Sequence, residues 1–75
     1  MPSVTILRPG TRRVDEASGQ FRWNFNAEVD GRVGAISIFS QSPISESAAA
    51  ESAKIFLEMD PGKLDGVVSL PPGPG

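Results

Sequence analysis

Seventy-five residues with a net charge of −2 and 39% hydrophobic side chains make one domain at most, and a chain this short removes only about 60% of its unfolded surface from water, which leaves a small margin of stability. The lack of cysteine and histidine excludes a disulfide-stapled mini-protein and removes the ligands on which most zinc and transition-metal sites depend. No stretch approaches the roughly 20 apolar residues of a membrane helix, and Met1 to Ser18 lacks the apolar core of a secretion signal, so the expectation is a soluble cytoplasmic protein with no membrane association.

The charges are unevenly placed. All five arginines fall in residues 1–32, which sum to +1, whereas residues 33–75 carry two lysines against five carboxylates and sum to −3. Polarity of this size is ordinary for solvated surfaces. One Trp and four Phe concentrate apolar area, so the centre of the chain reads as a small, aromatic-anchored core rather than as a disordered segment.

In chain order, Val4-Thr5-Ile6-Leu7 is a β-branched run that predicts a first strand, ended by the turn signature Arg8-Pro9-Gly10, in which Pro fixes φ and Gly supplies a positive φ. Thr11 to Glu16 reads either as an extended segment pairing with the next strand, through a tight connection at Ala17-Ser18-Gly19, or as a surface loop. From Gln20 the pattern is clear. Phe21, Trp23, Phe25, Ala27 and Val29 alternate with Arg22, Asn24, Asn26 and Glu28, the period of two of a half-buried strand.

Asp30-Gly31 then predicts a two-residue hairpin turn, because a type I′ turn needs positive φ at both central residues. Such a turn sets the register: Val29 faces Arg32, Ala27 Gly34, Phe25 Ile36, Trp23 Ile38 and Phe21 Ser40, and opposed residues share a face. Phe21, Trp23, Phe25, Ile36 and Ile38 therefore gather on one side. The other side carries Arg22, Asn24, Asn26 and Glu28 with Val33, Ala35, Ser37 and Phe39, and there Phe39 is expected to stack with Arg22 or to be covered by a subunit partner or the C-terminal tail.

Ser42-Pro43 predicts a helix start, with Ser as N-cap and Pro at the first helical position, and Glu46 adds a carboxylate to the first turn. Projected at 100° per residue, Ile44, Ala48, Ser52, Ile55, Phe56 and Met59 form the stripe expected to pack on the aromatic face of the hairpin, with Glu46, Ala50 and Lys54 away from it. Small residues at Ala48, Ala49 and Ser52 would admit Trp23 and Phe25. Leu57 falls off that stripe, as a lone exposed Leu or as part of a second contact. Asp60-Pro61-Gly62 ends the helix, and Val67-Val68-Ser69-Leu70 is a candidate short edge strand. The expected architecture is α+β: a three-stranded antiparallel meander packed on one C-terminal helix, spanning residues 1–70 as a single β-β-β-α domain, with 71–75 a disordered Pro/Gly tail.

Chemistry is sparse. Without His or Cys the available groups are carboxylates, Lys54, Lys63 and hydroxyls. Asp15-Glu16, Glu51, Glu58, Asp60 and Asp65 lack the apolar flanks that would raise a carboxyl pKa, so no enzyme activity is expected. Multi-glycine phosphate loops and calcium-loop spacing are absent, and neither a cofactor nor a metal is implied. The outer hairpin face, Arg22, Asn24, Asn26, Ser37 and Phe39, is the candidate interaction surface, with Arg12, Arg13, Arg32, Leu57, Val67 and Val68 as secondary candidates.

Gln20-Phe21-Arg22-Trp23, the Asp30-Gly31 turn, a return strand ending in serine and a Ser-rich helix start leading to Ala50-Glu51-Ser52-Ala53 together resemble the YegP-like family of small bacterial proteins over about residues 19–61. The resemblance implies a β-β-β-α unit that occurs in tandem or as dimers, without an assigned activity. Departures are the longer approach to the hairpin, Asn24 and Asn26 where apolar or basic residues are typical, and Ile55 later than the helix pattern expects. Three functions stand as expectations: a non-enzymatic interaction module forming a homodimer or meeting another protein partner; a nucleic-acid-binding accessory protein acting through the Arg and Asn face, disfavoured by a pI near 4.9; and a small phage- or plasmid-type inhibitor of a host protein.

Overall fold

The structure is a computed structural model that describes residues 2–15, 17 and 19–71, the side chain of Asp15 excepted. Strands β1 (Val4–Asp15), β2 (Gln20–Val29) and β3 (Arg32–Ser40) are followed by helix α1 (Glu46–Met59), a single 3-10 turn (Pro61–Lys63) and a short strand β4 (Val67–Ser69). The sheet order is β1-β2-β3-β4. The first three strands are antiparallel, and β4 joins the free edge of β3 in parallel. This is the expected α+β arrangement, with the extra edge strand present.

The β2–β3 register is the one that the Asp30-Gly31 turn dictates, from Val29 opposite Arg32 to Phe21 opposite Ser40. Asp30 and Gly31 take φ of 51° and 83°, the left-handed pair that a type I′ turn requires. Backbone N–H of Ser3 donates to Asp30 Oδ1 at 2.8 Å and Asp30 N–H donates to Ser3 O at 2.9 Å, so the hairpin tip also holds the entrance of β1.

The first strand is longer than expected. Arg8-Pro9-Gly10 does not end it; the chain continues to Asp15, with the β1–β2 register shifting between Leu7 and Thr11. Pro9 is tolerated because β1 is an edge strand with an irregularity at this point, where a missing N–H breaks no ladder bond. Gly10 is required there by a close approach rather than by a turn. A Cβ on it would lie 2.5 Å from the Phe25 ring.

The helix also starts later. Ser45, not Ser42, is the N-cap, and its hydroxyl accepts from Ala48 N–H at 3.1 Å, with Glu46 in the first turn. Pro43 holds Ser42 out of the helical region, Ser40 Oγ donates to Ser42 O at 2.8 Å, and the Trp23 indole N–H donates to Ile44 O at 3.1 Å. Those bonds tie the segment before α1 to the end of the sheet. At the other end Asp60 N–H donates to Phe56 O, and the Asp60 carboxylate accepts from Gly62 N–H at 3.0 Å, so Asp60-Pro61-Gly62 does stop the helix.

The core lies between α1 and one face of the sheet. Phe25, Ile36 and Ile38 are buried there and Trp23 packs against them. The helix face turned to them carries Ala49, Ala50, Ala53 and Leu57, which differs from the expected stripe. Ile55 and Met59 are exposed, 50% and 76%, whereas Leu57 is fully buried. Alanines let the helix axis approach large aromatic and β-branched residues on the sheet, and Leu57 fills the space at its far end. Val68 of β4, opposite Ile38, is buried too.

The loop before β4 extends the sheet by imitation of a strand. Asp65, at φ 67°, accepts Ala35 N–H on its carboxylate at 2.9 Å and donates its own N–H to Ala35 O. Gly34 allows this. A Cβ there would meet Asp65 Oδ1 at 2.6 Å and Leu64 Cγ at 2.7 Å. The tail expectation for 71–75 falls on Pro71, which is exposed, and on 72–75, which lie outside the described residues.

Candidate interaction surface

Because opposed residues in a ladder share a face, the registers place Arg13, Arg22 and Phe39 in one row across β1, β2 and β3, followed by Thr11, Asn24 and Ser37, then Leu7, Asn26 and Ala35, then Thr5, Glu28 and Val33. Val67 continues the Ser37 row and Ser69 the Phe39 row. This is the face away from α1. Leu7, Val33 and Val67 are exposed on it, at 43%, 63% and 53%.

One cluster on this face is ordered by its own hydrogen bonds. Arg22 Nε donates to Asn24 Oδ1 at 2.9 Å, Arg22 Nη2 to Ser37 Oγ at 3.3 Å, and Ser37 Oγ to Asn24 Oδ1 at 2.6 Å. The guanidinium carbon lies 5.3 Å from the centroid of Phe39, the stacking expected from the sequence. Ser37 is thereby buried although it belongs to an open sheet face. Two hydrogen bonds and a ring beneath it hold Arg22 in one orientation, and among the described residues its remaining N–H groups meet no acceptor.

Among the described residues no carboxylate neutralises that cation; the ion pair is Arg8–Glu46, which joins β1 to the first turn of α1. Arg8 Nε donates to Glu46 Oε1 at 2.8 Å, and Gly10 N–H donates to Glu46 Oε2 at 2.9 Å. The Arg8 hydrogen bond, then the Gly10 amide, hold the Glu46 carboxyl below its ordinary range, and Glu46 in turn raises Arg8. This pair is a strap between sheet and helix. Beside it an open groove of about 320 Å³ is lined by Ile6, Arg8, Ser47, Ala50, Glu51 and Lys54, and its principal charged donor is committed to Glu46.

The candidates drawn from the sequence separate in the fold. Arg22, Asn24, Asn26, Ser37 and Phe39 do share one face, joined by Arg13 and Val67. Arg12 does not belong with them. It pairs with Trp23 on the helix side, its guanidinium 5.7 Å from the Phe21 ring. Arg32, opposite Val29, lies on the helix-side face at the hairpin tip. Leu57 and Val68 are core residues and offer no surface, because the helix is rotated to bring Leu57 inward and β4 pairs with Val68 facing Ile38. Leu7 belongs to the surface but escapes sequence reasoning: the shift across Pro9 hides its parity from any count along the chain. Among the described residues no group of three or more Asp and Glu side chains is arranged to hold a metal ion, and no helix is long and apolar enough to cross a membrane.

No family model matches the chain, and neither a curated protein nor a solved structure is significantly similar to it. The fold and this surface are therefore the basis for a functional reading.

Proposed function

We propose that the protein is a small non-enzymatic interaction module that works as a homodimer through the sheet face opposite α1. The observation that carries this reading is the one-sided core: a single helix covers one face of the sheet, while the other presents Phe39, Leu7, Val33 and Val67 beside the Arg22-Asn24-Ser37 network. Half a sheet sandwich in a chain of 75 residues gains most by burying that face against another. The Arg8–Glu46 ion pair and the Gly10 amide bond to Glu46 tie β1 to α1, a structural use of these ionisable groups. Sedimentation velocity over micromolar concentrations tests the reading. A concentration-dependent dimer is expected, and a strictly monomeric species overturns it.

A second reading rests on Arg13 and Arg22 standing opposite each other with Phe39 beneath Arg22, a pairing of cations and an aromatic that suits a single-stranded nucleic acid. Fluorescence anisotropy against labelled oligonucleotides at low salt tests it. Glu28 on the same face and the acidic pI weigh against it, and absence of binding at low salt removes it.

A further inference from the structure

The outer face is polarised along β2, with Arg22 and Arg13 in the row that follows Gln20 and Asp15, and Glu28 in its last. Like charges directly opposed across a ladder destabilise a sheet, and Arg13 and Arg22 are such a pair. Glu28, opposite Thr5 and Val33, is exposed and forms no ion pair among the described residues. The charges that would answer each other are six positions apart on one strand, about 20 Å, beyond reach within one chain.

They meet in a second copy. A two-fold axis running between the sheets, at right angles to β2 and midway between the rows of Asn24 and Asn26, reverses β2 against its copy. That operation lays Arg22 over Glu28 of the partner subunit, and by symmetry Glu28 over Arg22 of the partner subunit. On β3 the same operation brings Phe39 against Val33 of the partner subunit, because Phe39 shares the row of Arg22 and Val33 that of Glu28. On β3 the central rows carry the small residues Ala35 and Ser37, and on β1 and β2 they carry Leu7, Thr11, Asn24 and Asn26, between sheets that pack at roughly 10 Å.

We infer that the protein forms a face-to-face, antiparallel homodimer in which the Arg22 and Arg13 guanidiniums of each subunit take the Glu28 carboxylate of the other. This rests on the homodimer reading above and specifies its geometry. The partner's Glu28 carboxylate offsets the Arg13–Arg22 repulsion, while Phe39 and the partner's Val33 bury apolar area against each other on the β3 side of that contact. A β2 of 10 residues at about 3.3 Å each, across three full strands and one short one about 4.8 Å apart, presents about 500 Å² per copy. The pair thus reaches roughly the 1,000 Å² that a specific interface needs.

Charge reversal with mixing tests the inference. Arg22→Glu and Glu28→Arg should each self-associate about tenfold or more weakly than wild type at low salt, since each homodimer then carries two like-charge contacts. An equimolar mixture of the two should form a heterodimer of near wild-type strength, because both of its contacts are again of opposite sign. Should Arg22→Glu lose its far-UV circular dichroism, Glu28→Arg, at an exposed position, carries the test alone: its self-association should be weaker than wild type and should recover as salt screens the like-charge contacts between Arg22 and position 28, and unchanged self-association overturns the pairing. Dimeric wild type with single variants that dimerise unchanged, or with a mixture that fails to associate, overturns the pairing and leaves the homodimer reading standing. A monomeric wild type overturns both.

Discussion

The Trp23 indole donates its N–H to the carbonyl of Ile44 at 3.1 Å, and so a strand residue holds the stretch that delivers the chain into α1. Trp23 also stacks along its strand on Phe25, with ring centroids 6.1 Å apart and planes 20° from parallel. Trp23→Phe keeps most of the apolar contact and leaves the Ile44 carbonyl without this donor, which costs about 1 kcal/mol. Trp23→Ala removes both and is expected to cost about 3 kcal/mol. Urea denaturation followed by circular dichroism separates the two. Wild-type fluorescence is expected to the blue of a fully exposed indole, shifting red on unfolding.

Helix orientation is tested by two leucine-sized side chains on α1. Leu57→Ala empties a fully buried site and should cost about 2–5 kcal/mol. Ile55→Ala, at a half-exposed position, should stay within about 0.5 kcal/mol. Equal effects in urea melts would contradict the observed rotation of the helix.

Two glycines are held to size by close neighbours. Gly10→Ala drives a methyl into the Phe25 ring, and Gly34→Ala drives one into Leu64 and Asp65. Each should cost about 1–3 kcal/mol by overpacking. Gly34→Ala should in addition expose Ala35 N–H to solvent exchange, since Asp65 is its acceptor; hydrogen exchange measured by NMR reads that loss directly.

The Arg8–Glu46 strap predicts a pH dependence. The folded carboxyl of Glu46 is depressed by Arg8 and by the Gly10 amide, so its contribution is present above the unfolded carboxyl's pKa and is lost as pH falls through the folded one. Arg8, raised by Glu46, contributes below its unfolded pKa and loses that contribution only at strongly alkaline pH. Urea midpoints of wild type and Glu46→Gln should therefore differ at neutral pH and converge in acid, below the ordinary glutamate range. A difference that persists unchanged into strong acid would assign the effect to packing instead.

The hairpin is legible from residue order because its determinants are local. Asp30-Gly31 sets the turn, the turn sets the register, and alternation from Phe21 to Ile38 then assigns both faces, including the Arg22–Phe39 stack. The end of the helix at Asp60 is equally local, a matter of Pro61 and a capping carboxylate. Other features depend on residues distant in the chain. In an alanine-rich helix two stripes compete, one through Ile44, Ile55 and Met59 and one through Ala49, Ala53 and Leu57. The larger side chains favour the first by area alone; the sheet selects the second, because Phe25, Ile36 and Ile38 admit alanines along most of the contact and Leu57 fills its far end. Ser42 and Ser45 are both competent caps, and the bond from Trp23 to Ile44 decides between them. The passage of β1 through Pro9, and with it the parity of Leu7, is set by the Phe25 ring beneath Gly10 and by Glu46 reaching its amide. Periodicity and turn chemistry determined which strand faces exist; packing volume and long-range hydrogen bonds determined which of them the helix covers and which face is left open to a partner.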